Sequence, residues 1–219
     1  MTIRRDLQEL EKQGLLRRVH GGAISKPSLF TGLALSEKEK IRTAEKERIA
    51  RYAAGLVQRG DVVLIDSGST TLRLARYLKN QEGLTVVTNS LHVASELAQS
   101  RNKVILTGGE MEPDSMALIG PLADQTLSSV AVDKLFMGID SIDLENGLTT
   151  PQFSEARTLR AMMKAASARI LLADSSKFGR KCLAVVDKIG ALDKIITDSG
   201  LDEGLVRKME QAGVEVIVV

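Results

Sequence analysis

The 219 residues, 43% hydrophobic and 26% charged, allow one or two folded domains and exclude a disordered chain. No apolar run approaches the roughly 18 residues of a membrane helix, no leader pattern opens the chain, and Cys182 has no disulfide partner and only His20 and His92 to join it in metal binding, so a cytoplasmic protein with no membrane partner and no cofactor is expected. The net charge of +2 lies wholly in residues 1–20, with five basic and three acidic side chains against 25 of each elsewhere, and a basic excess at one end is a signal for nucleic acid.

In chain order, Ile3, Leu7 and Leu10 share one face at helical spacing, with Thr2 as cap and Gly14 as stop, which predicts a helix over 2–13. Residues 15–20 then run extended into Gly21-Gly22, a short strand and a tight turn. Pro27, Gly32 and polar neighbours give residues 24–40 the character of a linker. A charged helix follows over about 36–58, with Ile41, Ile49, Ala53 and Leu56 as its buried side. From residue 61 short apolar runs recur at 62–65, 84–87, 104–106, 134–137, 170–173, 194–196 and 214–219. They alternate with helical patterns over 70–79, 91–99, 155–168 and 201–212. Strands apolar on both faces and separated by helices predict an α/β fold, a mostly parallel sheet flanked by helices.

Polar residues cluster after each strand: Asp66–Thr71, Thr88-Asn89-Ser90, Thr107-Gly108-Gly109-Glu110, Gly138 with Asp140-Ser141, Asp174–Lys177 and Thr197-Asp198. Ligands of open α/β sheets bind beyond the carboxyl ends of the strands, so these segments are expected to converge on one pocket. In Asp66-Ser67-Gly68-Ser69-Thr70-Thr71, Gly68 permits close backbone approach, and three hydroxyls open a helix whose free N–H groups favour an anion. Phosphate is the anion that fits, and plain helix capping is the alternative. The spacing is neither a Walker A loop nor a dinucleotide fingerprint. Lys177 can meet a phosphate or be a solvated loop lysine, Gly108-Gly109 can admit a ligand or form a plain turn, and Asp133, Asp140 and Glu155 can accept sugar hydroxyls. No Ser/His/Asp arrangement is indicated by spacing.

Thr2-Ile3-Arg4-Arg5-Asp6-Leu7 resembles the end of the helix-turn-helix signature of DeoR-type bacterial transcriptional regulators, and residues 14–23 resemble the wing that follows it. Asp66–Thr71, Val87–Ser90, Thr107–Glu110, Gly120-Pro121, Val132-Asp133-Lys134, Phe136-Met137-Gly138, Gly147-Leu148-Thr149, Ala173–Gly179 and Ile196-Thr197-Asp198 match the family's effector-domain pattern in order, so the resemblance covers essentially the whole chain. It implies a partial winged helix-turn-helix over 1–23, a linker over 24–40, and an effector domain over 41–219 that resembles the sugar-phosphate isomerase fold of ribose-5-phosphate isomerase.

The resemblance also implies a DNA-binding repressor of a sugar-catabolism operon, relieved by a phosphorylated sugar, with operator DNA and that sugar phosphate as partners and a homo-oligomeric state. It carries a ligand role to Asp66, Ser67, Gly68, Ser69, Thr70, Thr71, Thr88, Asn89, Ser90, Gly108, Gly109, Glu110, Asp140, Glu155, Asp174 and Lys177. Thr2, Arg4 and Arg5 are then expected at DNA from the start of the recognition helix, and Arg17, Arg18 and His20 from the wing. The family's head has two helices before the recognition helix, and this sequence starts at the recognition helix. Retained effector binding with impaired DNA binding is therefore expected. The alternative is a sugar-phosphate isomerase-like enzyme, for which Glu110, Asp133, Asp140 and Glu155 are candidate bases and the N-terminal motif has no use.

Overall fold

The computed structural model describes residue 3 and residues 5–8, 16–19, 22–25 and 34–219. Residues 3 and 5–8 are helical. Strands β1 (Leu16–Val19) and β2 (Gly22–Ser25) pair antiparallel, Val19 opposite Gly22, so the hairpin takes Ile24 and Ser25 from the stretch read as a linker. No helix among the described residues is long and apolar enough to cross a membrane.

The remainder is built on β3 (Val62–Ile65), β4 (Thr85–Thr88), β5 (Lys103–Leu106), β8 (Val132–Met137), β11 (Ala166–Leu172), β13 (Lys194–Thr197) and β14 (Glu215–Val218). These form one parallel sheet in the order β14-β13-β11-β8-β3-β4-β5. All seven apolar runs of the sequence are therefore strands of one sheet. Alternate residues of each central strand serve opposite faces. Val63, Ile65, Phe136, Ile170, Leu172 and Ile196 join one core, with helices α2 (Thr43–Ala54), α3 (Ser69–Leu78) and α4 (Leu91–Leu97). Leu64, Leu135, Met137, Leu171 and Ile195 join the other, with α5 (Pro121–Ser128), α6 (Phe153–Ala165) and α7 (Glu203–Gln211).

Three further features depart from the sequence reading. The helix expected over 36–58 is divided into α1 (Leu35–Lys38) and α2, because Arg42 turns left-handed (φ 51°) and its guanidinium is held by Asp198 and Ser175. Within the stretch read as a linker, Leu35 is buried, and its N–H donates to the Asp114 carbonyl at 2.8 Å. Finally, α6 passes into β11 with no loop residue between Ala165 and Ala166, so the helical pattern over 155–168 overran the strand by three residues.

Two small sheets escaped the apolar-run reading because their strands are three or four residues long and partly polar. One is the hairpin β6 (Glu110–Glu112) with β7 (Ala117–Ile119). The other joins β9 (Ser141–Asp143), β10 (Gly147–Thr150) and β12 (Ala184–Asp187) in the order β12-β10-β9. Gly147 opens β10 at φ +78°, and a Cβ there would stand 2.2 Å from the Asp187 carbonyl oxygen. Gly147→Ala is expected to cost about 2–4 kcal/mol, from left-handed strain plus overpacking, as a lower denaturation midpoint at unchanged m-value.

Candidate functional site

The chain winds outward from β3 through β4 to β5, returns to place β8 on the other side of β3, and winds outward again through β11, β13 and β14. The direction reverses between β3 and β8, and the carboxyl side of such a switch point is where an open α/β sheet leaves a crevice. Asp66 and Gly138, which follow those two strands, meet there: the Asp66 carboxylate accepts from the Gly138 N–H at 3.1 Å. A cavity of about 50 Å³ opens at this point. It is lined by Asp66, Ser67, Gly68, Ser69 and Thr70 from the β3–α3 turn, Gly138, Ile139 and Asp140 after β8, Glu155 of α6, Asp174 and Lys177 after β11, and Lys38 and Lys46.

The β3–α3 turn forms one wall. No side chain caps the first turn of α3, whose amides carry the helix's partial positive charge. The Thr71 hydroxyl points away and donates to the Gly68 carbonyl at 3.0 Å. Lysines line the same cavity. Lys38 Nζ pairs with Asp140 Oδ1 at 2.8 Å. Burial alone would lower the Lys38 pKa, but Asp140, Glu155 and Asp66 outweigh it and hold the ammonium above its ordinary value. Lys46 is 2% exposed and donates to the Lys38 carbonyl. Desolvation, together with Lys177, Arg73 and Lys38, brings its pKa down to about 8 in spite of Asp174. Burial likewise lowers Lys177.

Carboxyls face these cations. Burial first, and then the Glu155 and Asp140 charges, raise the Asp66 pKa to about 8, so that it is mostly neutral at pH 7. Burial and Asp140 raise Glu155 to about 7. The Thr150 hydroxyl bridges Asp140 Oδ2, at 3.0 Å, and Glu155. One hydroxyl proton cannot serve both contacts, so a shared carboxyl proton fits this geometry. Three lysines and four carboxyls thus line the pocket, and the raised pKa values of Asp66 and Glu155 reduce its negative charge near pH 7. Such a pocket can hold a dianion against helix amides and lysines.

Beside it, Asp198 accepts from the Ser175 N–H at 2.6 Å, the Gly200 N–H at 2.9 Å and Arg42 at 3.0 Å. Those bonds outweigh burial and keep its pKa below the usual carboxylate range. Asp198→Ala is expected to cost about 2–4 kcal/mol, because it orphans buried donors and Arg42. The wild-type contribution is present at neutral pH and is lost as pH falls below about 4. Denaturation of both chains at pH 7 and pH 3 checks this: the difference between them shrinks at pH 3.

Of the residues singled out from sequence, Asp66, Ser67, Gly68, Ser69, Thr70, Asp140, Glu155, Asp174 and Lys177 are brought together at this cavity. The others have local partners. Thr71 turns back on Gly68. Thr88 donates to the Ile65 carbonyl at 2.7 Å and binds strand to strand. Ser90 caps α4 by accepting from the Val93 N–H. The Asn89 carbonyl accepts from the Leu118 N–H at 2.7 Å, its side-chain oxygen buried without a partner. Gly108 lies against Leu122, and Gly109 (φ +121°) packs so closely on Ile119 that a Cβ would meet the Ile119 carbonyl at 2.5 Å. Glu110 is exposed on β6. Asp133 accepts from the Val62 N–H at 2.8 Å at the opposite, amino end of the sheet, so it cannot reach this pocket.

Lys38, Lys46 and Ile139 were missed: lysines of a charged helix read as solvated, and only the fold turns these two inward. Of the residues expected at DNA, Arg5 is exposed on the helical segment and Arg17 and Arg18 lie on β1, while Thr2, Arg4 and His20 lie outside the described residues. A neighbouring cavity of about 70 Å³ shares Lys38, Asp140 and Glu155 with the switch-point cavity, and two much larger hollows hold none of the ligand candidates. One, of about 750 Å³, lies between β10 and the end of α7. The other, of about 480 Å³, lies between α5 and α6.

Comparison with known proteins places these features in a family. Residues 41–199 match the model of the DeoR C terminal sensor domain, and residues 1–28 match the DeoR-like helix-turn-helix domain. The chain is 39% identical over 216 residues to the HTH-type transcriptional regulator GlpR of Haloferax volcanii, covering 99% of this chain and 85% of that one. It is 37% identical over 222 residues to a putative aga operon transcriptional repressor of Escherichia coli O157:H7, covering 100% and 82%. It is 36% identical over 199 residues to the glycerol-3-phosphate regulon repressor of Escherichia coli K12, covering 90% and 79%. With a sensor-domain match over most of its length, a helix-turn-helix match before it and relatives of this kind along both, the chain belongs to the DeoR family of transcriptional regulators.

Proposed function

We propose that this protein is a cytoplasmic repressor of a carbohydrate operon whose sensor binds a small phosphorylated sugar or polyol in the cavity at the β3–β8 switch point. The observation that carries this is the uncapped start of α3, whose Ser69 and Thr70 line one cavity together with Lys38, Lys46 and Lys177. In this reading Ser67–Thr70 and the lysines hold the phosphate, and Asp140, Glu155 and Asp174 meet hydroxyls. The Escherichia coli relative named for glycerol 3-phosphate is consistent with a phosphate ester of few carbons.

Operator DNA is read by the head, with Thr2, Arg4 and Arg5 on the recognition helix and Arg17, Arg18 and His20 on the wing. The buried Leu35 supports a sensor unit that starts near Ala34. A homo-oligomer fits the two-fold symmetry of such operators. A thermal-shift screen tests the reading. A phosphorylated ligand at 100 times its Kd adds about 2.7 kcal/mol, whereas its unphosphorylated counterpart gives no shift.

One observation favours a second reading. Glu155 lines the cavity and bonds Thr150 beside Asp140, and its pKa, raised by burial and Asp140 to about 7, would suit a general base for a sugar-phosphate isomerase-like enzyme. The regulator reading expects no turnover of ribose 5-phosphate in a coupled assay, and substantial turnover would replace it.

A further inference from the structure

Lys38 falls between the two family-matched regions, residues 1–28 and 41–199, in the segment that leads from the head to the sensor. Its side chain nevertheless lies inside the ligand cavity, paired with Asp140 at 2.8 Å. Part of the surrounding segment is tied to groups that line that cavity or lie next to it. The Lys38 carbonyl accepts from Lys46 Nζ. The Glu39 carbonyl accepts from Arg73 of α3 at 2.9 Å, and the Glu39 carboxylate from Arg76 at 2.7 Å. Arg42, left-handed at φ 51°, stands 3.3 Å from Asp174 and 3.0 Å from Asp198.

We propose that Lys38 is the residue through which ligand occupancy reaches the head: a bound phosphate draws its ammonium group away from Asp140, and the 34–46 segment shifts with it. This rests on the reading of the cavity as a phosphate-ester site. A phosphate dianion offers more charge and more acceptor oxygens than one carboxylate, and Asp140 keeps the Thr150 hydroxyl when Lys38 leaves. On this proposal the Lys38–Asp140 pair belongs to the ligand-free state, as a ligand can shift a conformational balance only through contacts that differ between its states. Lys38 moves its own carbonyl, which Lys46 holds, so the displacement passes into the backbone of the segment.

The test is hydrogen exchange of the full chain, with and without saturating inorganic phosphate or glycerol 3-phosphate, alongside the affinity of each probe. Wild type is expected to change the exchange of amides in 34–46 by at least about threefold. Lys38→Gln should bind the probes about tenfold more weakly and lose that change at saturation, and Lys38→Arg should restore it. Asp140→Asn, which releases Lys38 without ligand, should show the liganded exchange pattern in the absence of probe, and it carries the test if Lys38→Gln does not fold. Probe binding to wild type with 34–46 unchanged, or a full response in Lys38→Gln, overturns the proposal and leaves the phosphate reading standing. Failure of wild type to bind either probe overturns both.

Discussion

Lys46→Gln is expected to weaken binding of a phosphorylated ligand by about 100-fold, the order of loss when one partner of a buried charge pair is truncated. Lys46 is 2% exposed, yet its hydrogen bond goes to the Lys38 carbonyl and not to a carboxylate. Its positive charge is therefore uncompensated by a direct ion pair, and it sits in a pocket that the start of α3 also lines. A buried cation held this way is costly to the fold, as its lowered pKa of about 8 records, and that cost is rational where an anion is to be bound. Glutamine removes the charge while keeping an N–H donor on a slightly shorter side chain. Isothermal titration of wild type and variant checks this, with the variant's melting transition establishing that it is folded. Affinity within about threefold of wild type would remove Lys46 from the site.

Asp66→Asn is expected to change how both stability and binding depend on pH. The Asp66 carboxyl, buried beside Glu155 and Asp140, has its pKa raised to about 8, whereas the unfolded chain releases that proton near pH 4. Between those values the folded state holds more protons than the unfolded one, so this group's contribution to stability falls as pH rises from about 4 to 8. Asparagine cannot ionise, and its carbonyl oxygen can still accept from the Gly138 N–H. The variant should therefore gain stability relative to wild type as pH rises across this window, which denaturant melts at pH 5, 7 and 9 would show.

Binding follows the same logic. An incoming phosphate favours neutral Asp66 and charged Lys46, both of which lose their protons near pH 8. Wild-type affinity should fall above that pH by about tenfold per unit for each proton the complex retains, and Asp66→Asn should remove one proton from that slope. Equal slopes in the two chains would show that Asp66 is not neutral in the complex.

The parallel sheet was legible because each of its strands carries a short apolar run, and burial on both faces leaves no polar position to interrupt Val63–Ile65 or Leu135–Met137. Half of the pocket was legible for a related reason. A strand's carboxyl end is where polar residues collect, and Asp66–Thr70, Asp140 and Asp174 do so. The same rule overreached at Thr88, Ser90 and Gly109, where hydroxyls and a glycine serve backbone pairing, helix capping and close packing. Sequence alone cannot tell a hydroxyl that faces a ligand from one that faces its own chain. Lys38 and Lys46 were illegible because their inward direction depends on Arg42, whose left-handed turn is set by Asp174 and Asp198, more than 130 residues away. Asp133 precedes the apolar run 134–137, so the sequence already set it at the amino end of its strand, opposite the end where ligands of such sheets bind.

A crystal structure of the chain with glycerol 3-phosphate tests the central claim most directly. The phosphate is expected at the start of α3, its oxygens within hydrogen-bond distance of the Ser69 and Thr70 amides and of Lys46 Nζ. A phosphate seated instead in the groove between α5 and α6, which Arg157, Arg160 and Lys164 line, would contradict it.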